Sequence, residues 1–546
     1  MRMKFKQSGW QCWPSAGSVL LFIMACPAIA HANQFLRCVP VLRPLVGAHV
    51  NPEPSVLPTL YGWQGGVGRW HLTRTSHIVL EPASANTLRP LANKLASDLA
   101  EISGIHPAVV IADNAHRGDI ALSLAPCGDE EANQEIGGEG YTLRVGQAAL
   151  LRANTANGVF YATRTLLQMM TMDGQARGTH RSAPRGYALD FPRYQERAVM
   201  FDVGRKFAPV QFLENYIRFM GWYKLNTLHL HLNDQVSNKG SDKGKNPWIS
   251  RSFRLKSDNP AFRKLIPTDG KYYTRHDWAE LEAVAAANAV NIVPEIDTPG
   301  HAGAFVVARL DLTYKMGSPK GGVLDPAEPA TLAYIESVWT QFLPWFHSRV
   351  VDIGGDEVDS HNGGSISIAV QVDYQNRLGE FLEAHGKTVE VWGNVAEFAG
   401  ALDHSFIIQR WHTWNRRDPA NWGKLGYDWT QSSDRWYVVP TEYGLQGGGA
   451  ALYDGWSRDP QNKPGPYAPR GGQICLWNDR GNRDYNYRGI VNNLLKDVIP
   501  AAGQIFWRGK AYTDGGHVIS YDLLQKRAKI LQYGPSVTMF EKNPIL

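Results

Sequence analysis

The pattern of hydrophobic positions changes once along this chain of 546 residues. From about residue 70 to residue 172, short β-type runs such as HIVLEP and HPAVVIAD flank two helical periods, TLRPLANKLASDLAEISG and NGVFYATRTLLQMM. Apolar positions recurring every three to four residues predict helices, and short runs rich in Val and Ile predict strands. We therefore predict a compact α+β unit, followed by a polar linker over residues 173–186.

After the linker, apolar runs alternate regularly with amphipathic helical stretches. Eight runs have the composition of strands: AVMFDVG, NTLHLHL, NIVPEID, VVDIGGDE, TVEVWGN, SFIIQRW, YDWTQSS and QICLWND. Strands that alternate with helices in this way predict an α/β fold, a (β/α)8 TIM-type barrel preceded by the smaller α+β domain. We assign residues 1–32 to a signal peptide, 33–185 to the N-terminal domain and linker, and 186–546 to the barrel with a C-terminal helical extension.

The first 32 residues have the pattern of a secretory signal. Three basic residues in the first six positions precede an apolar run over residues 17–30, and Ala30-His31-Ala32 provides small residues for cleavage. The run is short for a membrane span. We expect an exported protein, secreted or periplasmic, without integral membrane association, with lipid attachment at Cys26 as the alternative.

The overall composition is that of a globular protein with a large core. Hydrophobic residues make up 43% of the chain and charged residues 20%, which excludes intrinsic disorder as its general character. The formal net charge is only +5, and no dense cluster of Lys and Arg is present. This balance argues against nucleic acid as a partner.

The cysteines give no framework for the fold or the chemistry. Two of the five lie in the predicted leader, and Cys38, Cys127 and Cys475 remain after its removal. Cys38 and Cys127 could form a disulfide in an oxidising compartment, with Cys475 as a buried thiol. Three unpaired small hydrophobic residues are the other interpretation, and the sequence leaves both open.

Polar side chains end several of the predicted barrel strands. The strongest example is the run VDIGGDE, in which two glycines permit a tight turn before Asp356 and Glu357. Active sites of such barrels lie at the C-terminal ends of the strands, so these side chains should converge on one pocket. Cleavage of a glycosidic bond needs a proton donor and a group that stabilises the oxocarbenium centre. The adjacent acids therefore indicate a glycoside hydrolase.

Three motifs in a fixed order, RAVMFDVGRKF, PEIDTPGHA and DIGGDE, resemble the family of β-N-acetylhexosaminidases, which includes lacto-N-biosidases and the lysosomal enzymes. The resemblance covers roughly Arg197 to Asp479, and the preceding α+β unit is similar to that family's non-catalytic domain. It implies a retaining hydrolase that releases terminal, non-reducing β-linked N-acetylglucosamine or N-acetylgalactosamine from a glycan or oligosaccharide. It also implies that the 2-acetamido oxygen of the substrate is the nucleophile, with no cofactor and no metal.

The resemblance assigns roles to individual residues. Glu357 is implied to be the general acid and then the base, and Asp356 to bind the acetamido N–H and stabilise the developing positive charge. The implied substrate-binding residues are Arg197 at the sugar hydroxyls, Asp234, Asp297 and His301 around the acid, Trp392, Trp411 and Trp477 as walls of the acetamido pocket, Tyr437 at the acetamido carbonyl, and Asp479 near the outer hydroxyls.

The sequence also departs from the family pattern. After HLND it reads QVSN where many members have QGWR, and it has Val439 and Asp479 where Asp and Glu are common. These differences leave open the choice between the glucosamine and galactosamine configurations. They also make a lacto-N-biosidase-like enzyme, which releases a disaccharide, an alternative.

Two alternatives come from other functional classes. His229 and His231 lie on one face of a predicted strand close to several acids, as in metal-dependent barrel hydrolases. A catalytically inactive sugar-binding protein on the same scaffold is the other alternative, since a fold does not establish an activity. The presence of both Asp356 and Glu357 argues against that second alternative.

Overall fold

The computed structural model describes residues 49–537 except for 125–135, 236–251, 315–321, 359–365, 394–399, 412–420, 441–443, 446–447, 464, 480–486, 511–517 and 533. The predicted leader and the predicted Cys38–Cys127 pair lie outside the described residues. Cys475 is a buried free thiol.

A seven-stranded mixed sheet forms the N-terminal unit, in the order β1-β7-β5-β6-β4-β2-β3. Its strands are β1 (Gly62–His71), β2 (His77–Leu80), β3 (Ala108–Ile111), β4 (Ile120–Ser123), β5 (Tyr141–Val145), β6 (Ala149–Ala153) and β7 (Ser182–Asp190). Helices α1 (Ala85–Ser103) and α2 (Ala156–Arg177) pack against the sheet and against each other. Helix α1 ends where Gly104 adopts a left-handed conformation, and the side chain of Thr155 caps the start of α2.

The predicted linker at residues 173–186 is wrong, because this polar stretch consists of the end of α2, a four-residue connection over 178–181 and the start of β7. Strand β7 runs antiparallel to both β1 and β5, so the predicted boundary after residue 185 falls inside it. The Asp173 carboxylate accepts a hydrogen bond from Ser182 and lies 3.0 Å from the Arg69 guanidinium. The polar groups are therefore satisfied by partners within the domain, which the sequence pattern alone does not reveal.

Eight parallel strands close into a barrel, which confirms the fold class. They are β8 (Glu196–Asp202), β9 (Thr227–His231), β10 (Asn291–Glu295), β11 (Val350–Asp352), β12 (Thr388–Trp392), β13 (Ile407–Arg410), β14 (Asp428–Gln431) and, after the small hairpin β15 (Val438–Val439) and β16 (Gly444–Leu445), β17 (Gly471–Leu476). Strand β17 pairs with both β14 and β8 and so closes the barrel.

The helices that accompany the barrel among the described residues are α3 (Val210–Trp222), α4 (Arg275–Ala287), α5 (Gly303–Ala308), α6 (Pro329–Phe342), α7 (Ile368–Ala384), α8 (Gly448–Gly455), α9 (Tyr487–Trp507) and α10 (Tyr521–Leu531). A capping box of Thr274 and Asp277 starts α4. Helix α10 contacts both α9 and α2, so the C-terminal segment joins the barrel to the N-terminal unit. Within the described part of the chain, none of the helices combines the length and apolar character that a membrane span requires.

Arg197 belongs to the contact between the two units and not to the sugar site, which corrects the prediction made for it. It is the second residue of β8, in register with Gly472 near the start of β17, whereas the strand ends at Asp202. Its guanidinium is fully buried and donates two hydrogen bonds of 2.8 Å to Glu139. It also donates to the backbone oxygen of Lys224 and so fixes the N-terminal unit to the base of the barrel.

We expect Arg197→Met to lower the free energy of unfolding by about 3 kcal/mol, because the Glu139 carboxylate loses its charged partner in a largely buried contact. Chemical denaturation measures this loss. The KM of the folded variant should remain within about twofold of the parent value, since the side chain lies at the far end of the strand. A large rise in KM with unchanged stability would contradict this account and would indicate that Arg197 contacts the substrate.

Candidate active site

The loops that follow β9, β10 and β11 are joined by hydrogen bonds at the C-terminal end of the barrel. The Asn233 amide donates to the backbone oxygens of Asp297 and His301, at 2.9 and 3.2 Å, and its oxygen accepts from the Asp297 backbone N–H. The Asp297 carboxylate in turn accepts from the Gly355 backbone N–H at 2.9 Å. Three segments distant in sequence are thus held in fixed relative positions.

The turn after β11 has a backbone that only particular residues can adopt. Gly354 and Gly355 have φ angles of 72° and 92°. A Cβ atom on Gly354 would lie 1.9 Å from Asp297 Oδ1, so both the conformation and the close approach require glycine. Glu357 and His301 also have positive φ angles, 51° and 46°. Non-glycine residues rarely adopt this conformation, and it is concentrated at functional sites.

Asp234 is the centre of the charged contacts. Its Oδ1 atom lies 3.0 Å from His301 Nδ1, and its Oδ2 atom lies 2.7 Å from His231 Nε2 and 2.8 Å from Arg205 Nη2. Burial raises the pKa of Asp234, but the charges of Arg205 and His301 outweigh this effect and hold the pKa well below its usual range. The carboxylate is therefore ionised, with a charged partner at each oxygen.

His301 connects this centre to the adjacent acids. Its Nε2 atom lies 3.6 Å from Glu357 Oε2 and 3.7 Å from Asp356 Oδ1. Burial lowers the pKa of His301, whereas the carboxylates of Asp234, Asp356 and Asp297 raise it well above the usual value. The raised pKa favours the protonated imidazole, and its Nε2 atom is directed at both predicted catalytic carboxyl groups.

The two adjacent acids have different environments. The Asp356 side chain is 9% exposed and that of Glu357 is 39% exposed. Burial raises the pKa of Asp356, and His301 opposes that effect. Burial and the charge of Asp356 together hold the pKa of Asp297 well above its usual range. The raised pKa favours the protonated form of Asp297, which is the form that can donate a hydrogen bond to an ionised Asp356.

A cluster of aromatic side chains, termed the aromatic pocket below, lies beside these acids. Trp392 and Tyr437 are buried in one apolar cluster with Met200, Val439 and Cys475, and Trp411 and Trp477 pack against it. The Trp392 and Trp477 rings lie 5.6 Å apart at 48°, and Tyr437 lies 6.1 Å from Trp477. The Trp477 ring also lies 5.1 Å from His231, which places the pocket next to the charged cluster. Indole and phenol faces of this kind suit a small apolar group or the C–H face of a sugar.

Arg205 is a site residue that the sequence interpretation missed. It follows Asp202, which ends β8, and its Nη1 atom lies 3.0 Å from that carboxylate and 3.6 Å from Asp479 Oδ1. Its guanidinium also lies over the Trp477 ring, 5.5 Å from the centroid. Arg205, and not Arg197, is therefore the arginine that lies at the mouth of the barrel with the other site residues. The sequence feature that could have identified Arg205 is its position three residues after Asp202, the acid that ends the strand.

The structure brings together the other ten predicted site residues: Asp234, Asp297, His301, Asp356, Glu357, Trp392, Trp411, Tyr437, Trp477 and Asp479. Asn233 was missed together with Arg205. Glu295 was recognised as a polar residue at the end of the third barrel strand but was given no role, because its contacts depend on how neighbouring strands align. Only Arg197 among the predicted residues lies elsewhere.

The imidazoles of the predicted metal-binding alternative contact carboxylates. His229 Nε2 and His231 Nδ1 lie 2.9 and 2.8 Å from the same Glu295 oxygen, and His231 Nε2 contacts Asp234. His, Asp and Glu atoms spaced closely enough to hold an ion do occur here, for example those of His231, Glu295 and Asp297. Within this set, His231 and Glu295 are partners of opposite charge.

Comparison with known proteins identifies two matching family models. The model described as "Glycosyl hydrolase family 20, catalytic domain" matches residues 194–448, and "Glycosyl hydrolase family 20, domain 2" matches residues 53–190. β-Hexosaminidase subunit A2 of Dictyostelium discoideum is 27% identical over 54% of this chain and 54% of its own length. A lacto-N-biosidase of Bifidobacterium bifidum is 22% identical over 75% of this chain and 34% of its own length.

The chain thus spans about half the length of the Dictyostelium relative and about a third of the biosidase. A mutant Streptomyces plicatus β-hexosaminidase in complex with the product GlcNAc has the same fold, with a TM-score of 0.70 and 24% identity over 91% of this chain and 96% of that chain. Together the two family models cover the N-terminal unit and most of the barrel, in this order. The chain belongs to glycosyl hydrolase family 20.

Proposed function

We propose that this protein is a retaining β-N-acetylhexosaminidase that releases a terminal, non-reducing N-acetylhexosamine from a glycan. The observation that carries the proposal is the placement of Asp356 and Glu357 on one strained turn, between the His301 imidazole and the aromatic pocket. A buried anion beside an apolar pocket of this kind suits an acetamido group, whose N–H needs an acceptor and whose methyl needs an apolar wall.

In the first step, Glu357 donates its proton to the leaving glycosidic oxygen. The acetamido oxygen of the same sugar forms a bond to the anomeric carbon as the glycosidic bond breaks, which gives an oxazolinium intermediate. The buried Asp356 accepts the acetamido N–H and stabilises the positive charge that develops on this group. The neighbouring Asp297 and His301 keep the Asp356 carboxylate ionised and in position.

In the second step, Glu357 acts as the base. It removes a proton from water as the water oxygen attacks the anomeric carbon, and the oxazolinium ring opens to restore the acetamido group. The more exposed position of Glu357 suits a group that must reach both the leaving oxygen and the incoming water. Two inversions at the anomeric carbon retain its configuration.

The names of the relatives support this proposal. They include a β-hexosaminidase subunit, and a structure of similar fold was obtained in complex with GlcNAc. We further propose that the natural partner is a glycan or oligosaccharide containing N-acetylhexosamine, with no nucleic acid and no cofactor. The basic start, apolar run and A-x-A site of residues 1–32 support export as a secreted or periplasmic protein.

Release of a disaccharide, as by a lacto-N-biosidase, is the second candidate function. A relative of that name matches 75% of this chain. Asp479 is 47% exposed at the mouth and contacts Arg205, while Val439 is buried and apolar. These are two of the three places where the sequence departs from the hexosaminidase pattern, and residues 236–238 of the third lie outside the described residues. We expect the two candidate functions to differ in how the enzyme recognises the outer hydroxyls of the substrate.

Glu357→Gln is expected to lower kcat by about a hundredfold or more, because the amide keeps the shape of the side chain but cannot transfer a proton. The dissociation constant of N-acetylglucosamine, measured by calorimetry, should change little. Glu380→Gln on the outer helix α7 is the matched control and should be fully active. A Glu357→Gln variant that turns over at the parent rate would contradict the assignment of the acid.

The acidic limb of kcat/KM should follow the ionisation of Asp356, which must be an anion to accept the N–H. Because burial raises the pKa of Asp356, activity should be present above this pKa and lost as the pH falls through it. His301 opposes the effect of burial, so His301→Gln should move the acidic limb to higher pH. Rate profiles of both proteins between about pH 3 and pH 8 measure this shift. A limb that stays in place or moves to lower pH would contradict the account.

A further inference from the structure

Glu295 is the last residue of β10 and is completely buried. Its Oε1 atom accepts a hydrogen bond of 2.7 Å from Trp392 Nε1, and Trp392 belongs to the aromatic pocket. Its Oε2 atom lies 2.9 Å from His229 Nε2 and 2.8 Å from His231 Nδ1. One carboxylate therefore contacts a wall of the pocket with one oxygen and two imidazoles with the other.

The imidazole of His231 extends these contacts to the acid. Its other nitrogen lies 2.7 Å from Asp234, Asp234 lies 3.0 Å from His301, and His301 lies 3.6 Å from Glu357. Polar contacts thus run from Trp392 to Glu357 through Glu295, His231, Asp234 and His301, and the last of them, between His301 and Glu357, is at 3.6 Å longer than a hydrogen bond. Each end of the series faces a different part of the substrate in the proposed reaction.

Strand register places Glu295 where it can make these contacts. Its Cα atom is paired with that of His231 on β9 and with that of Asp352 on β11, so the ends of three neighbouring strands lie at one level of the barrel. Burial raises the pKa of Glu295, but the charges of His231 and His229 hold it below the usual range. A buried anion with several partners is confined to one geometry, since any movement leaves a charge unpaired.

We propose that Glu295 is a positioning residue that couples the Trp392 wall of the acetamido pocket to the acid–base group Glu357. This inference rests on the proposed function and adds a residue that touches neither the substrate nor the reacting atoms. A displacement of the Trp392 ring by the acetamido group would be transmitted to His231 through the shared carboxylate, and from there to Asp234 and His301. A displacement of Glu357 would be transmitted to Trp392 through the same contacts. The acetamido pocket and the acid–base group therefore keep their relative positions during the reaction.

The test is Glu295→Gln in the full chain, assayed with an aryl β-N-acetylglucosaminide. Glutamine can still accept the Trp392 hydrogen bond, but its NH2 group cannot accept from the two imidazoles. We expect kcat to fall by about tenfold or more while KM stays within about threefold, because substrate still binds but the acid is misplaced. A purely structural defect would instead raise KM or lower the melting temperature, without a fall in kcat at nearly constant KM.

Glu390→Gln is the matched control, since Glu390 is an equally buried barrel carboxyl on the next strand but one and lies outside the series of contacts. Its kcat should stay within about twofold of the parent value. Trp392→Phe removes the hydrogen bond that Glu295 accepts from the indole and keeps an aromatic ring at this position. If the two residues act through each other, the effects of Trp392→Phe and Glu295→Gln on kcat should combine less than multiplicatively. If Glu295→Gln does not fold, His231→Gln interrupts the series at the next residue, with the same expected loss of kcat.

An inactive parent protein would count against the proposed function. With an active parent, a folded Glu295→Gln variant whose kcat is unchanged would overturn the coupling role. Independent, multiplicative effects of Glu295→Gln and Trp392→Phe would overturn it as well.

Discussion

The ionised carboxylate of Asp234 is the interaction on which the active site depends. It is fully buried, and it stays charged only because Arg205, His231 and His301 surround it. Removal of one of these partners would leave the buried charge less well compensated and would destabilise the fold. The three partners come from the loop after β8, the end of β9 and the loop after β10. The pairing of one charge therefore fixes three strand ends relative to each other.

The opposite protonation states of neighbouring acids follow from this arrangement. Asp234 has a cation at each oxygen and is ionised, whereas Asp297 lies beside Asp356 and has its pKa raised. Like charges in a shared buried site cannot all ionise, so the acids divide into donors and acceptors according to their nearest partners. The strained turn at Gly354 and Gly355 then presents Asp356 on the buried side and Glu357 on the more open side.

Much of this could be predicted from the sequence because chemistry in a barrel follows the ends of strands. The run before Asp356 and Glu357 marks a strand that ends in a turn, and the same logic located Asp234 and His301. Arg197 failed because its role was inferred from the resemblance to the family, although the predicted strand AVMFDVG already lies between Arg197 and Arg205. The strand ends at Asp202, which places Arg205 at the mouth and Arg197 at the base.

Other features of the structure could not be predicted, because they depend on distances between residues that no sequence pattern contains. The contact of Glu295 with His231 depends on the register between β10 and β9. The polar stretch around residue 180 looked like a linker because its partners, such as Arg69, lie more than a hundred residues away. In each case the polar side chain could be recognised but the group that satisfies it could not.

The most direct test of the account is the dependence of hydrolysis on the acetamido group. Release of nitrophenol should be measured from the β-N-acetylglucosaminide and from the plain β-glucoside, with purified protein in the presence of a chelator. The account predicts rapid release from the acetamido substrate, unaffected by the chelator, and very slow release from the glucoside. Equal rates on the two substrates would contradict the role of the acetamido oxygen as the nucleophile, and loss of activity with the chelator would favour a metal-dependent reaction.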